Sequence, residues 1–379
     1  MILKTQLFQE TCKTILPALD NNTANLELKA EQTTLYLSLT NREYYISVKY
    51  ELAEPANFRA VVKADLFLNL IAGITSEEFE LEVKNNYVYI KVNKSNYKLA
   101  MIYENDTLIT LPVITLTNKT VEMPVSLEIL KSILNVNAKE LLKAKNADLV
   151  RASINDLQKL YYIDETGCFT FTTGACLNSF TLEKPVKLLL TDKIVKLFKL
   201  FKEDVLFSFG YDQLPNGITQ AKAIFQTPTI YFAALVINDS YLLNKVLGPC
   251  TAAKNYVQAN YANKIVLSSN MLLAAINRLL MFTKNSIDKV NMLSVYATIT
   301  LTTGNEFIIT DKLGNQEVVP IENGSTAITE DYTLSLNISD LKLVLESYKD
   351  EFVTFNCGNH KLVVITKNNI SNLISEGTL

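Results

Sequence analysis

One pattern recurs six times along the 379 residues: a short β-rich run, a polar residue, then helical apolar spacing giving way to alternating strands. The copies begin at Ile2 (Ile-Leu-Lys-Thr-Gln-Leu-Phe-Gln-Glu), Arg59 (Arg-Ala-Val-Val-Lys-Ala-Asp-Leu-Phe), Val121 (Val-Glu-Met-Pro-Val-Ser-Leu-Glu-Ile), Val186 (Val-Lys-Leu-Leu-Leu-Thr-Asp-Lys-Ile), Ile265 (Ile-Val-Leu-Ser-Ser-Asn-Met-Leu-Leu) and Leu334 (Leu-Ser-Leu-Asn-Ile-Ser-Asp-Leu-Lys). Such units, spaced roughly 60 to 75 residues apart, pair naturally into three domains of about 120 residues. The expected domains are 1–118, 119–255 and 256–379. Their seams fall near Asn118–Thr120 and within Gly248–Asn263, a Pro/Ala/Asn/Tyr stretch of weak periodicity. The competing reading is an ordinary α+β chain in which the spacing recurs by chance, and six matches in phase weigh against it.

Six helices of roughly three turns are predicted. Ser126, Thr191, Ser269 and Ser339 stand where a side-chain oxygen satisfies the free amides of a helix start. Between the helices, Phe79–Val83, Tyr87–Val92, Ile299–Leu301 and Phe352–Phe355 alternate, with Asn-Asn, Asp-Glu-Thr-Gly and Thr-Gly-Asn at the turns. The fold class is therefore α+β, with antiparallel sheets that bury one face.

The composition, 48% hydrophobic and 20% charged, is that of a globular chain. Lys plus Arg number 36 against 39 acidic residues, so a role on nucleic acid has to rest on where the cations sit. The single histidine, His360, lies in a turn before an apolar run and is read as solvated rather than catalytic. Cys12, Cys168, Cys176, Cys250 and Cys357 form no C-x-x-C pair, which argues against structural zinc. No phosphate-binding glycine loop and no dinucleotide fingerprint occurs. Carboxylates are plentiful without a paired constellation, so an enzyme that uses them alone is a distant third reading. No catalytic residue, metal or cofactor is expected. Lys4 and Glu10 interrupt any signal-peptide core, no apolar run approaches the ~20 residues of a membrane span, and the unpaired thiols suit a reducing compartment. The expectation is a cytoplasmic protein without membrane partners.

Short motifs in this order are similar to those of a known family. Thr172-Thr173-Gly174-Ala175-Cys176-Leu177 resembles a Thr-Asp-Gly-His-Arg-Leu turn. Leu235 to Leu247 matches the spacing of a Leu-Val-Asp-Gly-Arg-Phe-Pro-Asp-Tyr-Arg-Arg-Val-Leu segment, and Val150-Arg151 with Ile154-Asn155 falls on another match. Three tandem domains with these motifs resemble the bacterial DNA polymerase III beta subunit, the sliding clamp, in a divergent member. The resemblance implies a ring of two chains closed head to tail, with helices lining the hole and antiparallel sheets outside. It implies a non-catalytic processivity factor for DNA replication that encircles duplex DNA without sequence preference. The replicative polymerase and the clamp loader would dock through short peptide motifs.

Helices lining a DNA channel should carry cations away from the sheet. Lys193, Lys196, Lys199 and Lys202 recur every third position while Ile194, Leu197, Phe198 and Phe201 form an apolar face. Lys13, Lys131, Arg151, Arg278, Lys342 and Lys349 are further candidates. A merely solvated face is the plainer alternative. The family's partner groove maps onto Ile154, Thr172, Gly174, Ala175, Cys176, Leu177, Tyr241, Lys245, Val246 and Ile287, with Asn337, Asp340, Val363 and Leu373 across the domain boundary. Ordinary core is the alternative for the apolar ones. Ring closure is assigned to Tyr97 and Leu99 meeting Met281 and Phe282 of a second copy. The chain departs from the family at Ala175-Cys176, at Tyr241, at Ala152-Ser153 beside Arg151, and in a Ser375-Glu376-Gly377 tail. The runner-up function is a clamp-fold protein scaffold that does not encircle DNA.

Overall fold

The computed structural model describes every residue except 20–24, 42, 135–159, 173, 215, 287–294 and 378–379, and leaves the side chains of 171, 172, 174 and 283–286 undescribed. The chain forms two compact units, Met1–Lys131 with Lys193–Asn238, and Ser132–Asp192 with Asp239–Leu379. Each unit contains one eight-stranded and one four-stranded antiparallel sheet.

The large sheet of the first unit runs in the order Lys119–Val125, Val205–Gln213, Thr219–Gln226, Ile230–Val236, Tyr44–Glu51, Thr34–Thr40, Asn25–Glu31, Phe58–Lys63. Its small sheet joins Ile2–Lys4, Glu78–Lys84, Tyr87–Val92 and Ser95–Ala100. In the second unit the large sheet is Lys187–Thr191, Leu160–Asp164, Gly167–Thr172, Gly174–Ser179, Ile370–Ser375, Leu362–Lys367, Phe352–Cys357, Asn263–Ser268. Its small sheet is Gln316–Pro320, Glu306–Thr310, Tyr296–Thr302, Tyr332–Asn337. All four alternating segments picked out in the sequence are strands. Asn85 and Asn86, with φ of 48° and 64°, supply the left-handed turn between two of them.

Seven helices are described: α1 Thr5–Ile15, α2 Ala64–Ala72, α3 Leu127–Leu134, α4 Asp192–Lys196, α5 Ser240–Gln258, α6 Ser269–Ser286 and α7 Ile338–Leu345. Spacing decides which face each buries. Helix α1 turns Phe8, Cys12 and Ile15 inward, and α2 turns Phe67, Leu68 and Ile71 inward. The ring of Phe8 meets Phe67 and Phe79 edge-on at 6.2 and 5.6 Å, so the helices and the small sheet share one core. In the second unit, Ile276 of α6, Leu341 of α7, and Phe307 against Phe355 at 5.3 Å have the same role.

Six expectations need correction. Helix α5 is a seventh helix, and it occupies most of the stretch read as an aperiodic seam. The helix expected after Thr191 is a single α turn, Asp192–Lys196, continued by a 3₁₀ turn, Leu197–Leu200. The sheets do not bury one face throughout, because Tyr44–Val48 and Leu160–Asp164 are buried residue after residue. Among the expected caps, Ser126 Oγ accepts from Ile129 N at 3.3 Å as foreseen. The cap of α7 is instead Asn337, two residues before Ser339. Ser269 Oγ donates to the carbonyls of Tyr348 and Glu351 rather than capping α6. His360 is half-buried, with the rings of Tyr256 and Tyr261 each 5.4 Å away, not free in a turn.

Candidate partner groove and cationic row

The groove residues gather in the second unit because strand Gly174–Ser179 pairs with strand Ile370–Ser375. Ala175 faces Leu373 and Cys176 faces Asn372 across that pair, and Leu373 in turn faces Val364. Helix α5 packs on strand Gly174–Ser179. Its start is fixed by Asp239, whose carboxylate accepts from Tyr241 N at 2.8 Å and Leu242 N at 3.2 Å. Tyr241 is 63% exposed, and the Lys245 ammonium lies 4.3 Å from the centre of its ring. Val246, Cys250 and Ala253 form the narrow buried stripe of the helix.

The apolar groove positions are mostly packed: Cys176, Leu177, Val246, Val363 and Leu373 are all buried. Asn337 has a local role, accepting from Ser339 N and Asp340 N at the start of α7, and Asp340 lies in that first turn. What reaches solvent is Tyr241, Lys245 and parts of Ala175 and Asp340. Ile154, Ile287 and Arg151 lie outside the described residues, and for Thr172 and Gly174 only their places in strands are described.

The cationic row belongs to the first unit. Ile194, Val195, Leu197, Phe198, Leu200 and Phe201 are buried, whereas Lys196, Lys199 and Lys202 are exposed and Lys193 is half-buried. A 3₁₀ turn has about three residues per turn, so a lysine at every third position stays on one side. The apolar side is held rigidly by rings: Phe198 and Phe225 lie 4.8 Å apart, and Phe225 stacks on Phe232 at 5.8 Å. Lys193 Nζ is 3.9 Å from a Glu43 carboxylate oxygen and 5.3 Å from the Tyr44 ring centre. Lys13, Lys131 and Lys349 are exposed. Lys342 Nζ lies 3.8 Å from Glu346. Arg278 is committed: its Nε and Nη2 bind both oxygens of Glu317 at 2.7 and 2.6 Å, and its guanidinium holds that carboxyl below the usual carboxylate range.

The ring-closure candidates are surface groups. Tyr97 and Leu99 face Ile90 and Val88 across the edge strand Ser95–Ala100. Ile90 and Val88 are fully buried, but Tyr97 is 43% exposed, so an apolar sheet face runs out uncovered at its edge. Met281 and Phe282 on α6 are 59% and 53% exposed, directly after the buried Leu279 and Leu280.

All five thiols are buried, and burial pushes Cys250 up to about 11 and Cys12 and Cys357 up to about 12. These three thiols stay protonated near neutral pH and act as packing groups. Among the described residues no cluster of His, Cys, Asp or Glu side chains is grouped to hold a metal ion, and no helix is long and apolar enough to cross a membrane.

Two ion pairs escaped the sequence reading. Asp164 with Lys254, and Asp212 with Lys222, are ion pairs at 2.5 and 2.9 Å between positions 90 and 10 residues apart. No spacing rule links such residues before the strands are paired.

The sequence matches no protein-family model and no curated protein. The structure is similar to solved bacterial sliding clamps along its whole length. The beta subunit of DNA polymerase from Streptococcus pyogenes superposes with a TM-score of 0.73 at 15% identity, covering 100% of this chain and 99% of that one. The DNA polymerase sliding clamp of Pseudomonas aeruginosa gives 0.73 at 13% with the same coverage. The Helicobacter pylori beta clamp, solved bound to a DNA ligase peptide, gives 0.68 at 17%, again covering 100% and 99%. From end to end, the chain has the fold of the DNA polymerase III beta sliding clamps.

Proposed function

We propose that this protein is a sliding clamp: a non-catalytic processivity factor that closes head to tail as a homodimer around duplex DNA and tethers replication proteins. The observation that carries it is the full-length likeness in fold, since a chain using the fold for another purpose has no need to keep all of it. The three domains 1–118, 119–255 and 256–379 belong to the same proposal. In each half ring, Tyr97 and Leu99 meet Met281 and Phe282 of the second copy, a head-to-tail contact that closes after two uses. Lys196, Lys199 and Lys202, with Lys13, Lys131 and Lys349, give DNA phosphates weak, salt-screened contacts without base readout. The partner peptide docks where Ala175, Tyr241 and Lys245 surface beside the buried Leu177 and Val246. Replicative polymerase and clamp loader are the partners, in the cytoplasm.

Light scattering tests the closure. A species of twice the 42.5 kDa chain mass supports it, and Phe282→Glu should return the single-chain mass. A monomer across micromolar concentrations removes the ring. The bidentate Arg278–Glu317 pair favours the second reading, a scaffold that does not encircle DNA, because it takes one cation away from phosphate; that scaffold predicts the monomer.

A further inference from the structure

The small sheet of the first unit has a second face, turned away from the core it shares with α1 and α2. Strand Tyr87–Val92 sends Val88 and Ile90 into that core, fully buried, so Tyr87, Tyr89 and Lys91 stand on the opposite side. The two tyrosine rings are half-buried, 6.2 Å apart, with 58° between their planes. The strands on either side of them differ in charge. On one side the acidic residues are neutralised: Lys91 Nζ lies 3.1 Å from a Glu80 oxygen and 3.2 Å from Glu82, and Lys84 Nζ lies 2.7 Å from Glu82. Glu78, at the far end, faces Lys4 of the next strand. On the other side, Asn96, Lys98 and Ala100 face Lys91, Tyr89 and Tyr87, and an exposed Lys94 stands in the turn just before them. Lys98 rests on the rings, its ammonium 3.6 Å from the centre of Tyr87 and 6.0 Å from that of Tyr89.

Two aromatic rings between a neutral flank and a positive one suit a particular ligand. A duplex hides the faces of its bases, whereas a single strand exposes them to stack on aromatic side chains while cations hold its phosphates. Aromatic residues on the open face of a four-stranded sheet stack two or three bases in this way. We infer that this face is a platform for single-stranded DNA, with Tyr87 and Tyr89 each stacking one base and Lys94 and Lys98 holding the phosphates beside them. A cation on an exposed ring is held more weakly than a stacked base. The incoming base therefore displaces the Lys98 ammonium from Tyr87 and frees it for phosphate. The platform stands on the geometry of this sheet alone; the choice of DNA over RNA rests on the clamp reading above.

The probe is a fluorescein-labelled thymidine dodecamer, titrated into the full-length protein at low salt and followed by anisotropy, with the uridine RNA dodecamer in parallel. Saturable binding of the DNA is expected. Tyr87→Leu with Tyr89→Leu should weaken it about tenfold or more, whereas Tyr87→Phe with Tyr89→Phe, which keep the rings, should stay within about twofold of wild type. Lys94→Gln with Lys98→Gln should flatten the log–log salt dependence by about 1.4, the value for two phosphates of a single strand. A dodecamer carrying one 5-iododeoxyuridine should cross-link wild type at Tyr87 or Tyr89. Absence of saturable binding, an unchanged affinity in the leucine pair, or cross-links confined to 193–202 overturns the platform. Binding of the RNA without the DNA overturns the choice of DNA. Retention on nicked circular duplex should be equal for wild type and the leucine pair, so encirclement and the platform fail separately.

Discussion

The two large sheets are built alike and closed differently. In the first, strand Ile230–Val236 meets strand Tyr44–Glu51 over five paired positions. Segment 109–118 crosses above, tied down along its length. Arg59 donates to the Ile109 carbonyl at 2.9 Å, Thr40 to Pro112 at 3.1 Å, Tyr231 to Ile114 at 3.0 Å and Lys222 to Thr115 at 2.8 Å. Asp212 then accepts from Thr117 N and Asn118 N while bonded to Lys222. In the second sheet, Gly174–Ser179 meets Ile370–Ser375 over four positions, and a helix lies there in place of a strap. Buried polar groups are left over: among the described residues, both amide atoms of Asn178 and Oδ1 of Asn372 have no hydrogen-bond partner. The first junction is saturated and the second is not. A saturated junction braces the sheet, whereas unpartnered buried amides cost stability.

The largest expected effect comes from the closest approach in the strap. A Cβ on Gly210 would stand 1.9 Å from the Asn118 carbonyl oxygen, so Gly210→Ala has to lift the strap. A loss of about 3 kcal/mol is expected in urea unfolding, with faster amide exchange at 44–48 and 230–234. Lys222→Met comes next, at about 2 kcal/mol, because it strands the Asp212 carboxylate under a strap only one chain thick.

The same pair sets a pH dependence. Burial acts to raise the Asp212 carboxyl, but Lys222 and the two backbone amides outweigh it and lower it. Its contribution is therefore complete above the unfolded value of about 4 and is lost as pH falls through the lower folded value. Exchange in the strap should rise only in that acid window. In Lys222→Met the rise should begin at higher pH, and an unchanged onset would mean that the ion pair does not hold the strap.

At the second junction the sign reverses. Asn178→Val removes a buried amide that has no hydrogen-bond partner among the described residues, so stability should hold or increase by about 1 kcal/mol. A loss comparable to that of Lys222→Met would erase the contrast between the sheets.

Much of this architecture is legible in the sequence, for physical reasons. Period-2 runs such as Tyr87–Val92 and the stripes at Phe8/Cys12/Ile15 state their partners' direction directly. The lysine period of three reads as the face of a full three-turn α-helix, whereas the structure has one α turn followed by the 3₁₀ turn Leu197–Leu200, which spacing alone does not distinguish. Helix α5 is illegible because Gly248-Pro249 is a breaker signal and its buried stripe is only Val246, Cys250 and Ala253. At the proposed groove, the pairing of Ala175 with Leu373 and the burial of Val246 and Val363 depend on neighbours that spacing cannot identify. The strap and the Lys254–Asp164 pair depend on long-range pairing and leave no local trace.

The smallest expected effect lies on the cationic row. Replacing Lys196, Lys199 and Lys202 together by Gln should leave stability within about 0.5 kcal/mol. It should flatten the dependence of DNA affinity on salt by about 2 to 3 in log–log slope.

The proposed encirclement of DNA is tested by retention on DNA of different topology. Protein loaded by its cognate loader onto nicked circular DNA should stay bound through gel filtration in high salt and be released when the circle is cut once. Equal retention on the circle and on the linear molecule would contradict encirclement and leave a scaffold that binds DNA from one side.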